Sequence, residues 1–230
     1  MTDLMTKPST LVPPLQSGDR LTRAEFERRF DATPRLAKAE LIRGVTYVAQ
    51  PVNHGFHGRP HTTLAAWLGY YVDATPGLDQ GTESSVRLVG DNEPQPDCFL
   101  RIPFERGGRS RVGVDGYLEG APELIAEVAA SSASYDLHDK LEVYRDNGVQ
   151  EYVVWRVLDR EVDWFELREG RYERLVPDPD GLVRSRVFPG LWLDVAALLR
   201  GDRLTPRKVV TDGTTTTEHT TFAARVAPLA

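Results

Sequence analysis

Residues 122–155 read PELIAEVAASSASYDLHDKLEVYRDNGVQEYVVW, and they constrain the fold more than any other stretch. ELIAEVAA is a short continuous apolar run, the pattern of a strand covered on both faces. The segment ASYDLHDKLEVYRDNG sets Leu137, Leu141 and Tyr144 on one stripe at helical spacing and stops at Asn147-Gly148, a left-handed cap. EYVVWRVL then resumes as a strand. A strand buried from both sides needs a layer on each side. The chain is therefore expected to be α/β or α+β, with a mixed sheet flanked by helices, and α/β is the reading adopted.

Glu127 does not suit an apolar strand. Side chains alternate along a strand, so Leu124, Ala126 and Val128 share one face and Ile125, Glu127 and Ala129 the other. An ionised carboxylate buried there costs several kcal/mol unless something compensates. A metal ion, a cationic side chain or a raised pKa would each serve. At about 100° per residue, Lys140 lies on the flank of the apolar stripe beside Tyr144, and its ammonium can reach towards the sheet. His138, Asp139 and Glu142 cannot. A structural Glu–Lys bridge and a strand end open to water are the bland readings. Asp97 adds a second acid, opening the apolar run CFLRI after Pro94 and Pro96. Alone it would read as a turn residue. Two carboxylates aimed at one point can hold Mg²⁺ or Mn²⁺, with water and phosphate oxygens completing the shell. A lysine beside them can orient the attacking water or offset charge on a phosphate.

The rest of the chain fits one domain. Residues 1–18, rich in Pro, Ser and Thr, read as a flexible tail. LTRAEFERRF is a short helix with Thr22 as N-cap, and RLAKAELIRGVTYVAQPV a hairpin about Arg43-Gly44. HGRPHTTLAAWLGYYVDA forms a long helix from about Pro60 that ends before Pro76-Gly77. Strands follow in GTESSVRLVG, DCFLRI and VGVDGYLE, and after the central helix in EYVVWRVL, EVDWFELREG and RYERLVPD. The domain is expected over 19–204. Residues 205–230 read as a Thr-rich linker and a short helix, with Thr215 and Glu218 forming a capping box.

PDCFL followed by the 122–155 run resembles the Uma family of bacterial putative restriction endonucleases, within the PD-(D/E)XK nuclease superfamily. AEFERRF, AELIRGVTYVAQPVNHGFHGRPHTTLAAWL, RYERLVPDPDGLVRSRVFPGLWLDVAALL and TEHTTFAARV resemble other parts of that family. The resemblance implies a restriction-endonuclease-like fold and Mg²⁺-dependent hydrolysis of DNA, with Mn²⁺ as a substitute ion. It implies that Asp97 is the acid of the "PD" element and Glu127 the acid of "(D/E)XK", both metal ligands. Ala129 stands where the superfamily has lysine, and Lys140 matches the family's lysine on the next helix. Glu40 matches an acid of the first hairpin, and His57 a position opening the long helix. A homodimer is implied in the same way, since nucleases of this type often pair so that both strands are cut.

Composition narrows the alternatives. The formal net charge is −6, so no global basic field draws the chain to nucleic acid, and attraction must be local. RIPFERGGRSRVG offers Arg101, Arg106, Arg109 and Arg111 as phosphate contacts, against the reading of a solvated hairpin tip. His54, His57 and His61 lack a zinc-ligand pattern, and Cys98 is the single cysteine. Ser131, Ser132 and Ser134 read as a turn with Ser134 as N-cap, in preference to a Ser–Lys nucleophile. Trp155, Trp164 and Trp192 read as core. No stretch has membrane-spanning length and no secretory h-region opens the chain, so the cytoplasm is expected. A catalytically degenerate nuclease-fold module with a binding or regulatory role is the rival class. Two-carboxylate glycoside hydrolysis would need a sugar cleft that nothing in the sequence suggests.

Overall fold

The computed structural model describes residues 12–33, 38–130 and 132–228. In chain order the elements are α1 (Arg23–Asp31), β1 (Ala39–Ile42), β2 (Val45–Val48), α2 (Arg59–Ala74), β3 (Asp79–Thr82), β4 (Val86–Arg87), β5 (Cys98–Arg101), β6 (Arg111–Val112), β7 (Leu118–Glu119) and β8 (Leu124–Ala129). After the sharp turn at the end of β8 come α3 (Ala133–Tyr135), a π-helical turn (Asp136–Lys140) and α4 (Leu141–Asp146). The chain continues through β9 (Glu151–Arg156), β10 (Glu161–Arg168), β11 (Arg171–Arg174), β12 (Leu182–Arg184), β13 (Trp192–Asp194), α5 (Val195–Leu199), α6 (Leu204–Gly213) and α7 (Thr217–Val226).

Six strands form the central sheet, in the order β11-β10-β9-β8-β5-β3. Only β8 and β9 run parallel, as the crossover through α4 requires, so the sheet is mixed. β8 is buried along its whole length. Its Leu124, Ala126 and Val128 join the core beneath α2, and Ile125 and Ala129 join the core beneath α4. The expected alternation of faces is therefore present, with Glu127 on the α4 side.

α2 closes one face because Leu64, Trp67, Leu68 and Tyr71 fall on one stripe and are all buried. Its polar atoms are satisfied too: Trp67 Nε1 donates to Trp192 O at 2.9 Å and the Tyr71 hydroxyl to Pro189 O at 2.8 Å. The hairpin β1–β2 turns through Arg43 and Gly44, both at positive φ (51° and 74°), the geometry of a tight two-residue loop. Trp155 and Trp164 are core residues; Trp192 is half-buried under the Arg184 guanidinium, 4.5 Å from its ring centre.

Several local expectations shift. Residues 1–11 of the expected tail lie outside the described residues. Residues 12–18 pack on the hairpin: Leu15 is buried with Phe26 and Leu41, and Gly18 N–H donates to Thr46 O at 2.8 Å. The expected linker after residue 204 is helix α6, whose Val210 enters the main core with Phe222 and Val226 of α7. Gly213 permits this docking, because a Cβ there would stand 2.2 Å from Gly190 O. The cap of α7 is Thr216, accepting from His219 N, while Thr215 bonds back to Asp212 O. Ser134 lies inside α3 and does not cap it; Ser131 lies outside the described residues. VGVDGYLE splits into β6 and β7, which join β4 in a small separate sheet.

Glu151 fastens the closing turns to the sheet. It is fully buried, and its carboxylate accepts from Ser185 Oγ at 2.8 Å and from Arg186 N at 2.6 Å. Burial pushes its carboxyl up to about 7, against the pull of those donors. The folded state then keeps a proton that the unfolded chain has released, so this contribution to stability falls as pH rises from about 4.5 to about 7. Relative to Glu151→Gln, the unfolding free energy of the native chain should fall by about 1.4 kcal/mol per pH unit across that window. Urea denaturation at stepped pH measures it; parallel curves for the two proteins would refute it.

Candidate active site

Asp97 and Glu127 stand one step beyond Cys98 and Ala126, the last paired residues of β5 and β8. Each carboxylate takes a backbone N–H from the other's strand: Asp97 N donates to Glu127 Oε2 at 3.2 Å and Val128 N to Asp97 Oδ2 at 2.8 Å. The antiparallel pairing thus brings together two acids 30 residues apart in sequence and fixes their orientation. Both are buried.

Lys140 reaches Glu127 as its flank position on the helix predicts. Its ammonium donates to Glu127 Oε1 at 2.8 Å, lies 2.8 Å from Glu40 Oε1 and 3.7 Å from Asp136 Oδ1. Tyr144 OH adds a bond to Glu127 Oε1 at 3.0 Å. Glu40 is therefore no surface residue: it is buried, and the same oxygen accepts Gln95 N at 2.8 Å.

The charge state follows from counting carboxylates around one ammonium. Burial opposes ionisation of Lys140, but Glu127, Glu40 and Asp136 together hold its pKa well above the usual lysine range. Burial pushes Glu127 up to about 8, because Lys140 is shared and Asp97, Asp136 and Glu40 repel a further negative charge. Asp136 is raised by burial as well. Asp97 behaves in the opposite way. Burial works against its charge, yet the His57 hydrogen bond, the Lys38 ammonium and Val128 N–H outweigh it and keep the carboxyl low. Its two oxygens lie 3.3 Å from Lys38 Nζ and 3.2 Å from His57 Nε2. His57 is correspondingly raised, by the Asp97 hydrogen bond first.

Lys38, Asp136 and Tyr144 are members of the cluster that the sequence reading passed over. Each left a signal. Lys38 precedes Glu40 by two residues and so shares its face of the hairpin. Asp136 precedes Lys140 by four, the spacing of facing side chains on a helix. Tyr144 follows Lys140 by four, on the apolar stripe of Leu137 and Leu141. His57 and His61 both turn to Asp97, the first to its carboxylate and the second to its carbonyl oxygen at 2.9 Å.

The arginine loop does not join the acids. Asp97 immediately precedes β5 and Arg101 ends it, roughly 13 Å apart along the extended chain. Arg101 is buried, bonded to Asp79 at 2.7 Å and to Ser110 O at 3.0 Å, and Arg111 pairs with Glu119 at 2.9 Å. Those two are structural. Arg106 and Arg109 have no acid partner among the described residues, and they lie at the far end of the sheet from Asp97.

Removing the shared ammonium should leave buried carboxylates without compensation. Lys140→Met is expected to cost about 3–5 kcal/mol at pH 8. At pH 5 the cost shrinks, because Glu127, raised to about 8, takes up a proton. Denaturation curves at the two pH values test this, and equal costs at both would contradict the assigned charge states.

The family model Uma2, described as putative restriction endonuclease, matches residues 23–196. Among solved structures, a putative nuclease belonging to DUF820 from Anabaena variabilis ATCC 29413 is similar in fold, with a TM-score of 0.57 at 16% identity. The likeness covers 81% of this chain and 99% of that one. No curated protein matches the chain. No helix among the described residues is long and apolar enough to cross a membrane.

Proposed function

The chain belongs to the Uma2 family of putative restriction endonucleases, and from that premise we propose that it hydrolyses DNA phosphodiester bonds with a divalent metal ion. The observation that carries this reading is the mutual clasp of Asp97 and Glu127, two carboxylates held side by side at the end of a sheet. Their donor chemistry fits Mg²⁺, which binds through one or two carboxylates and otherwise keeps water and phosphate oxygens. The charge fits as well. Glu40, Asp97, Glu127 and Asp136 are four buried carboxylates facing two lysines. Among the described residues no three His, Cys, Asp or Glu side chains are gathered as a ready-made cage.

Asp97 and Glu127 would hold the ion, which when bound supplies a polarised phosphoryl group and an acidified water. The remaining work falls to the chain's own residues. Lys140 holds Glu127 in place and offsets its charge, but it is buried and surrounded by carboxylates. Lys38 has one close partner, Asp97, and its side chain is 23% exposed. It is the lysine able to face a substrate phosphate or the attacking water, and Lys140 then assists through Glu127. His57, half-buried against Asp97, would hold a proton at Nε2 next to the other oxygen, Oδ2.

A second reading, a degenerate nuclease fold used for binding, is favoured by one feature: Glu127 and Asp97 already have protein donors on all four carboxylate oxygens. Two measurements separate the readings. Mn²⁺ titrated calorimetrically should bind one site, with affinity reduced at least about tenfold in Asp97→Asn. Mg²⁺-dependent nicking of plasmid DNA should fall about 100-fold or more in Glu127→Gln and in Lys38→Ala, with Lys38→Ala still binding Mn²⁺. Metal binding without cleavage by the native chain would favour the degenerate module. Cleavage that survives Glu127→Gln would place the activity elsewhere.

A further inference from the structure

The sheet has a second charged end. Where β5 finishes, β8 and β9 begin and β10 finishes, the chain encloses a cleft of about 500 Å³. Four arginines line it from three separate segments: Arg106 and Arg109 after β5, Arg186 after β12, and Arg225 on α7. Among the described residues none of the four makes an ion pair, in contrast to Arg101 and Arg111 of the same loop.

The acids in this cleft are committed elsewhere. Glu123 is buried, and its two oxygens accept N–H groups of Ile102 at 2.7 Å and Arg109 at 3.1 Å. Glu166 pairs with Arg168 at 3.2 Å. The arginine contacts that exist are with neutral groups: Arg109 Nη1 donates to Gly148 O at 2.8 Å, and the Arg225 guanidinium lies over the Phe222 ring at 5.1 Å. Four positive charges thus share one concave surface in a chain whose net charge is −6. Such focusing raises the local anion concentration, and the guanidinium fork matches pairs of phosphate oxygens. The volume lies in the range of small-molecule sites.

We propose that this cleft binds a phosphate-bearing anion carrying at least two negative charges, through Arg106, Arg109, Arg186 and Arg225. The site is distinct from the acidic cluster. Glu123 immediately precedes β8, four residues before Glu127 and roughly 13 Å from it along the extended chain, so these arginines do not contact a phosphate being cleaved at Asp97. The inference does not rest on hydrolysis. The same chemistry is presented by a free nucleotide and by a phosphorylated nucleic-acid strand.

Pyrophosphate, in EDTA and with chloride matched for ionic strength, is the probe. At about ten times its Kd it should raise Tm by about 3–6 °C. Calorimetric affinity should drop at least tenfold in the Arg186→Ala, Arg225→Ala double variant, whose two side chains are exposed. Asp97→Asn should leave the response intact. ADP and a 5′-phosphorylated 12-nucleotide DNA strand then identify the source, the tighter of the two being the biological form. No response to pyrophosphate beyond that to chloride, a response unchanged in the double variant, or its loss in Asp97→Asn would overturn the proposal.

Discussion

Three carboxylates converging on one buried ammonium set the terms for this molecule. Glu40 comes from the hairpin, Glu127 from the middle of the sheet and Asp136 from the π-helical turn, and Lys140 touches all three. None could be buried alone, because desolvating an unpaired charge costs several kcal/mol. Together they tie the hairpin, the sheet and the α4 segment to one point. The price is an excess of negative charge, carried as the raised carboxyls of Glu127 and Asp136. A fold built for stability alone would place apolar side chains there. The excess of acid over base is what makes the cluster suited to a cation.

The backbone makes the geometry exact where the charges alone would not. Asp97 and Glu127 each accept an N–H from the other's strand, so the pair moves with the sheet and not with a loop. Rigid placement of this kind suits a site that must hold two carboxylates at one separation. Lys38 and His57 sit on Asp97 from the hairpin and from the π-helical turn His54–Gly58 that leads into α2, and both are partly open to solvent. Function, in the proposed reading, turns on whether those two yield Asp97 to an ion.

The two ends of the sheet are electrostatic opposites. Buried acids lie where β5 begins, and arginines without acid partners lie where it finishes. An acidic chain can therefore carry a local anion-attracting surface without a basic net charge. The arginine-rich loop was visible in sequence, but its division was not. Arg101 and Arg111 are consumed by Asp79 and Glu119, and Arg106 and Arg109 acquire companions, Arg186 and Arg225, from segments 77 and 116 residues beyond Arg109.

Local pattern alone determined a good deal. The continuous apolar run of β8, the alternation placing Glu127 apart from Leu124 and Val128, the Arg43-Gly44 turn and the α2 stripe all follow from short-range sterics and periodicity, and each is present. So is Lys140 on Glu127, because a helix following its strand closely has few places to put a flanking lysine. What depends on distant segments was decided only in three dimensions. Lys38 meets Asp97 across 59 residues. The residues just before the Thr run form helix α6, docked where Gly190 and Gly213 allow two backbones to touch. The reason is common to all of these. A side chain's neighbours within four residues are set by the backbone period, whereas burial, charge partners and pKa are set by whatever the folded chain brings alongside.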